Sequence, residues 1–206
     1  IDGCNSEGIR IENSENIILQ NITTKNTQSI SVRFNNSRKS ALINSELSYS
    51  YGMMVAVYAT NDDYTLTPSD IFIQNNVFSD TTPSQSNAVA IGGCRTVVSH
   101  NKFIDCCLSG TGGSSECIIE YNLFEGGNRF ITDGGMVYLG GFITRGHHVR
   151  YNLFHMFKAT HQAVYFDTKG SGMYSYGNVI STLGAWTNSH KGWYSSSGHG
   201  NVCYAN

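Results

Sequence analysis

Asp167 and the tyrosines at 138, 165 and 194 are the residues of this 206-residue chain whose types and spacing could do chemistry. They sit in Val137-Tyr-Leu-Gly140, Val164-Tyr-Phe-Asp167 and Trp193-Tyr-Ser-Ser196, three segments that alternate with the period of a strand. If such segments stack at the strand spacing of about 4.8 Å, the tyrosines form one outward column of exposed rings. A tyrosine offers an apolar face and a polar tip, which suits a sugar ring. The same column is equally explained as ladder packing for stability. Asp167 is the one acidic residue placed on this aromatic half of the face. Glycoside hydrolysis normally needs two carboxylates, about 5–5.5 Å apart for retention or about 6.5–9.5 Å for inversion. Asp133 and Glu125, both in the stretch preceding Gly134, are the candidate partners, although Asp133-Gly134 also reads as a turn. Elimination would instead need a base and a cation beside a uronate carboxylate. Lys158, His161, Lys169, His190 and Lys191 flank the tyrosine segments, with His161 four residues before Tyr165 and Lys191 three before Tyr194. The candidates are therefore Asp167, Asp133 and His161 for catalysis, and Tyr138, Tyr165, Tyr194 and Lys191 for substrate. Asp62-Asp63 is too small a cluster for calcium, and His147-His148 has no further ligands at zinc spacing; one of that pair is expected to face inward. Neither a metal nor a cofactor is expected.

The elements that must position these residues are repeats. Ile71-Phe-Ile-Gln-Asn-Asn-Val-Phe78, Thr96-Val-Val-Ser-His-Asn-Lys-Phe103, Cys117-Ile-Ile-Glu-Tyr-Asn-Leu-Phe124 and His147-His-Val-Arg-Tyr-Asn-Leu-Phe154 superimpose, and the pattern continues through Asn178-Val-Ile180 to Asn206. With weaker copies at Asn21 and Asn44, the recurring Asn is spaced 23, 32, 25, 21, 30, 26 and 28 residues apart, an irregular solenoid period. The LxxLxL pattern of leucine-rich repeats and the 3.6-residue stripes of helical repeats are both missing. A fixed Asn suits a turn that visits the left-handed region, with side chains hydrogen-bonding along the stack. Phe78, Phe103, Phe124, Phe154 and Ile180 then form an interior column. A second strand family runs from Ile9-Arg-Ile-Glu12 to Trp193-Tyr-Ser-Ser196, with loops such as Ala59–Ser69 and Glu125–Gly134 between. The expected fold is all-β: a right-handed parallel β-helix of about eight coils, residues 1–206 forming a single segment. Because Asn206 aligns with Asn178 in mid-coil, the segment is expected to be part of a longer β-helix and to abut its flanking coils.

Composition agrees. Gly, Asn and Ser number 22, 20 and 24, charged residues are 14% and prolines only two, a balance that favours short strands and tight turns over helices. A formal charge of −2 without a basic stripe argues against nucleic acid as a partner, and no apolar run reaches the length of a membrane span. The six cysteines match no zinc motif; they read as buried small side chains, with a disulfide among Cys94, Cys106, Cys107 and Cys117 as the alternative. Asn21-Ile-Thr and Asn35-Asn-Ser match the N-glycosylation pattern.

The phrases Gly135-Met-Val-Tyr-Leu-Gly140, His148-Val-Arg-Tyr-Asn-Leu-Phe-His155, Ala163-Val-Tyr-Phe-Asp-Thr168 and Tyr176-Gly-Asn-Val179 give the chain a specific resemblance. Over Gly134–Ile180 it resembles secreted right-handed parallel β-helix proteins of the pectate-lyase-like superfamily. The resemblance implies an extracellular or cell-surface protein facing a polysaccharide, often a lyase or glycoside hydrolase. Thr168 stands where relatives carry a second Asp, and Met156 where they carry Asp after His155. Two functions are therefore expected: an enzyme acting on a glycan with Asp167 central, or a noncatalytic β-helix that binds glycan or spaces other parts of a larger surface or fibre protein.

Overall fold

The computed structural model describes residues 1–58, 66–81, 87–111, 113–126, 134–141, 144–157, 162–182, 192–195 and 198–206. Asp133, His161 and Lys191 lie outside these residues, as do Lys158, His190 and the pair Asp62-Asp63. The described residues contain strands and no helix, and so no helix long and apolar enough to cross a membrane.

The strands fall into three large sheets. The first holds Ile9–Glu12, Val32–Asn35, Val55–Tyr58, Asn87–Ala90, Cys107–Thr111, Gly135–Gly140, Gln162–Phe166 and Trp193–Ser195. The second runs from Ile18–Gln20 and Ala41–Ile43 through Phe72–Gln74, Val97–Ser99, Ile118–Glu120, His148–Arg150 and Tyr174–Tyr176 to Val202–Tyr204. The third holds Thr23–Lys25, Glu46–Ser48, Val77–Ser79, Lys102–Ile104, Leu123–Gly126, Leu153–Met156 and Val179–Thr182. The chain visits first, second and third sheet in turn, and each strand pairs in parallel with its counterpart one repeat later, as in Val137↔Val164 and Phe103↔Phe124. This arrangement is consistent with a parallel β-helix. Each Asn segment thus supplies two strands rather than one, because the ladder turn divides it.

Alternation decides what faces in. In the first sheet Val32, Val55, Val89, Leu108, Val137 and Val164 are buried in successive repeats. In the third sheet Phe78, Phe103, Phe124 and Phe154 stack with ring centroids 5.0, 4.5 and 4.9 Å apart, the expected interior column. β-branched and aromatic side chains fill such a pleated interior well.

The asparagine column differs from expectation in one respect. Asn76, Asn101, Asn122, Asn152 and Asn178 are buried, and the left-handed residue is the one before each of them: Asn75, His100, Tyr121, Tyr151 and Gly177. The backbone N–H and the amide of Asn76 both donate to Asn101 Oδ1, at 2.9 and 3.0 Å. Asn101, Asn122 and Asn152 repeat the pair of bonds toward the next repeat, and each Nδ2 also reaches a backbone carbonyl of the preceding one. The ladder residue is chosen for its buried donors and acceptor, not for its tolerance of positive φ. Asn21 and Asn44 are themselves the left-handed residues, so the register slips by one in the early copies and Ser45 occupies the ladder position.

The six cysteines are free thiols; Cys94, Cys106, Cys107 and Cys117 are buried, in line with the packing reading and not the disulfide, whereas Cys4 is half-buried and Cys203 exposed. Glu125 belongs to a third-sheet strand rather than to a loop.

Candidate functional site

Strand Gly135–Gly140 carries Val137 and Leu139 into the core and turns Tyr138 outward; Gln162–Phe166 does the same with Val164, Phe166 and Tyr165. Tyr138, Tyr165 and Tyr194 are register partners across three strands, as expected; the Tyr194 side chain lies outside the described residues. The backbone N–H of Asp167 donates to Leu139 at 2.7 Å and fixes the residue just past its strand. Gly140 lies beneath it: a Cβ there would meet Asp167 at 3.1–3.2 Å, so a larger residue would push Asp167 away.

The two groups meet. The Tyr138 hydroxyl donates to Asp167 Oδ2 at 2.5 Å, and the Thr168 hydroxyl donates to Oδ1 at 3.0 Å. Thr168 therefore supports the Asp167 carboxylate. Asp167 is half-buried and keeps part of its surface toward solvent. A carboxylate held by two hydroxyls is fixed in orientation and suited to accepting a further hydroxyl proton or donated hydrogen bond from a ligand.

Two expectations change here. The tyrosines do not form a row of exposed parallel rings: Tyr165 is only 6% exposed, and its ring meets Tyr138 edge-on, at 90° and 5.2 Å. Ala56 and Ser109, in the same outward column, are buried as well. Glu125 is removed as a carboxylate partner, since it sits on the third sheet and pairs with Lys102 at 2.8 Å.

The exposed aromatics lie elsewhere. At the corner between second and third sheets His100, Tyr121 and Tyr151 stack at 5.2 and 5.4 Å, the two tyrosines about half exposed. On the second sheet His148 stacks on Tyr174 and Tyr176 on Tyr204, both at 5.0 Å. Arg150 ties the two groups together, donating to Glu120 at 2.7 Å and to the Tyr176 hydroxyl at 3.0 Å; the Tyr176 bond and then Glu120 hold its guanidinium charged. The signal for the corner was present in sequence, since a tyrosine immediately precedes two consecutive ladder asparagines.

His147 is the inward member of its pair. Its Nδ1 accepts the Cys117 N–H at 3.1 Å and its Nε2 lies 3.0 Å from the buried Ser114 hydroxyl, so the ring is neutral with its proton on Nε2. Burial pushes its pKa down to about 4. That of His148 is also lowered, by burial and by Arg150. Among the described residues no three His, Cys, Asp or Glu side chains are grouped to hold a metal. No family model matches the chain, and no curated protein is detectably similar to it.

Proposed function

We propose that this chain is part of an extracellular right-handed parallel β-helix protein that binds a polysaccharide on its first sheet, with Asp167 as the central polar group. The single observation that carries this reading is the Tyr138–Asp167 pair: a half-buried carboxylate oriented by two hydroxyl donors in the half of the face where its neighbours are small and aromatic. Paired carboxylate and phenol groups match the alternating donors and acceptors of sugar hydroxyls. The resemblance of Gly134–Ile180 to the pectate-lyase-like superfamily supports the same substrate class. On this reading Asp167 would act as the acid or base of a hydrolysis or elimination, with Asp133 or His161 as its partner and Lys191 beside the glycan.

A noncatalytic role is the second reading, and a specific observation favours it. Both oxygens of Asp167 already accept hydroxyl hydrogen bonds, and Tyr165 is packed rather than presented. Incubation with a panel of neutral and uronic polysaccharides separates the two. An enzyme releases new reducing ends, accompanied by ultraviolet absorbance if an unsaturated sugar forms, and Asp167→Asn abolishes the release. A binding protein retains glycan without product. Neither retention nor product on any glycan would overturn the proposal.

A further inference from the structure

A half-open groove of about 230 Å³ runs along the outer face of the third sheet in its early repeats, far in register from Asp167. Lys25, Glu46, Ser48, Ser79 and Tyr49 line it, with Val77 as an apolar wall. Strand pairing fixes the frame, because Lys25↔Ser48 and Ser48↔Ser79 are register partners. Among the described residues Lys25 and Glu46 form no ion pair within 4.0 Å, with each other or with a neighbour, and none of the five polar side chains has a side-chain hydrogen-bond or ring partner. Further along the same sheet Lys102 pairs with Glu125, and on the second sheet Arg150 pairs with Glu120.

Tyr49 is the telling member. It is 54% exposed and holds φ at +53°, a conformation that a bulky side chain adopts at a cost of about 1–3 kcal/mol. Its column neighbours Asn26 and Asp80 are residue types that take such a turn readily. The other exposed left-handed tyrosines, Tyr121 and Tyr151, are stacked against ring neighbours; the Tyr49 ring is not. An uncovered aromatic ring, one free ammonium, one free carboxylate and two hydroxyls in one groove match a ligand that is apolar on one face and ringed by groups that both donate and accept. The volume lies below the roughly 300–1,000 Å³ of pockets for drug-sized ligands, so one ring fits. A ligand with a single negative charge would meet Glu46, and one with a positive charge Lys25.

We propose that this groove is a saccharide subsite that takes one neutral pyranose ring, packed on Tyr49 and hydrogen-bonded by Lys25 and Glu46. The site is separate from the first-sheet face and does not rest on the function proposed there. The test is saturation-transfer NMR with methyl α-glucopyranoside, methyl α-galactopyranoside and N-acetylglucosamine. Transfer to at least one of them is expected, weakened by about tenfold or more in Tyr49→Asn and several-fold in Glu46→Gln or Lys25→Met. Asn accepts the left-handed turn, so Tyr49→Asn should melt no lower than the parent, which separates loss of binding from loss of fold. Where a sugar also visits the first-sheet face, Asp167→Asn removes that share alone and leaves the Tyr49-dependent transfer. No transfer from any of the three sugars, or full binding by Tyr49→Asn, would overturn the proposal. So would binding of a free dipeptide in place of the sugars, since that would assign the Lys25–Glu46 pair to a zwitterion.

Discussion

Two columns of stacked polar residues run through this molecule, and the same stacking does opposite things in them. The asparagine ladder is buried: the Asn101 amide satisfies a backbone carbonyl of the preceding repeat, its Oδ1 accepts two bonds from that same repeat, and its N–H and amide donate to the ladder oxygen of the following one. The tyrosine column of the first sheet shares its register but not its regularity: Tyr138 leaves the stack to bond Asp167, and Tyr165 meets it edge-on. A residue inside must fill every valence, because an unmet buried group costs about 1–3 kcal/mol. A residue outside has solvent as a partner and is free to specialise. The inner column is where stability is concentrated, and the outer one is where chemistry has room.

The largest difference between the columns should appear on cutting each once. Asn122→Ala removes the acceptor of the Asn101 N–H and amide and takes one donor each from the Val98 carbonyl and from Asn152 Oδ1; it should cost about 4 kcal/mol in denaturant unfolding. Asn122→Ser should lose less, since Ser45 already serves at that position. The buried His147 should give a comparable but pH-gated effect. Its folded pKa lies near 4 against an ordinary 6.5, so its contribution is complete above about pH 6.5 and is lost as pH falls toward 4, a total of about 3 kcal/mol. In His147→Asn, stability measured from pH 7 to 4 should fall by about that much less than in the parent. Gly177→Ala should cost about 2 kcal/mol, because φ is +64° and the new Cβ would stand 2.6 Å from the Tyr151 ring. Tyr138→Phe, which cuts the outer column, should change stability by about 1 kcal/mol or less. A loss as large as that of Asn122→Ala would make the Tyr138–Asp167 bond a structural device.

Much of this was legible in the sequence, for a physical reason. A period of two fixes which side chains face in, so the phenylalanine column and the strand register of the first sheet followed from the repeat alone. Asn misled because it has two uses, a side chain that tolerates positive φ and an amide that completes a buried network, and the spacing does not say which is meant. Only the contact partners of Asn76 and its successors do. The burial of Tyr165 was not legible either, because alternation says that a residue points outward without saying what lies over it. Glu125 reads as a loop residue in the sequence because the third-sheet strands are only three or four residues long and follow directly on the ladder turn.

The account stands or falls on the first-sheet face. The direct measurement is affinity-gel retardation of the parent, Asp167→Asn and Tyr151→Ala on the glycan that the parent retains best. The account predicts that Asp167→Asn loses retention, while Tyr151→Ala, on the exposed corner ladder, keeps it. Retention by Asp167→Asn together with its loss in Tyr151→Ala would move the glycan to the corner and contradict the assignment.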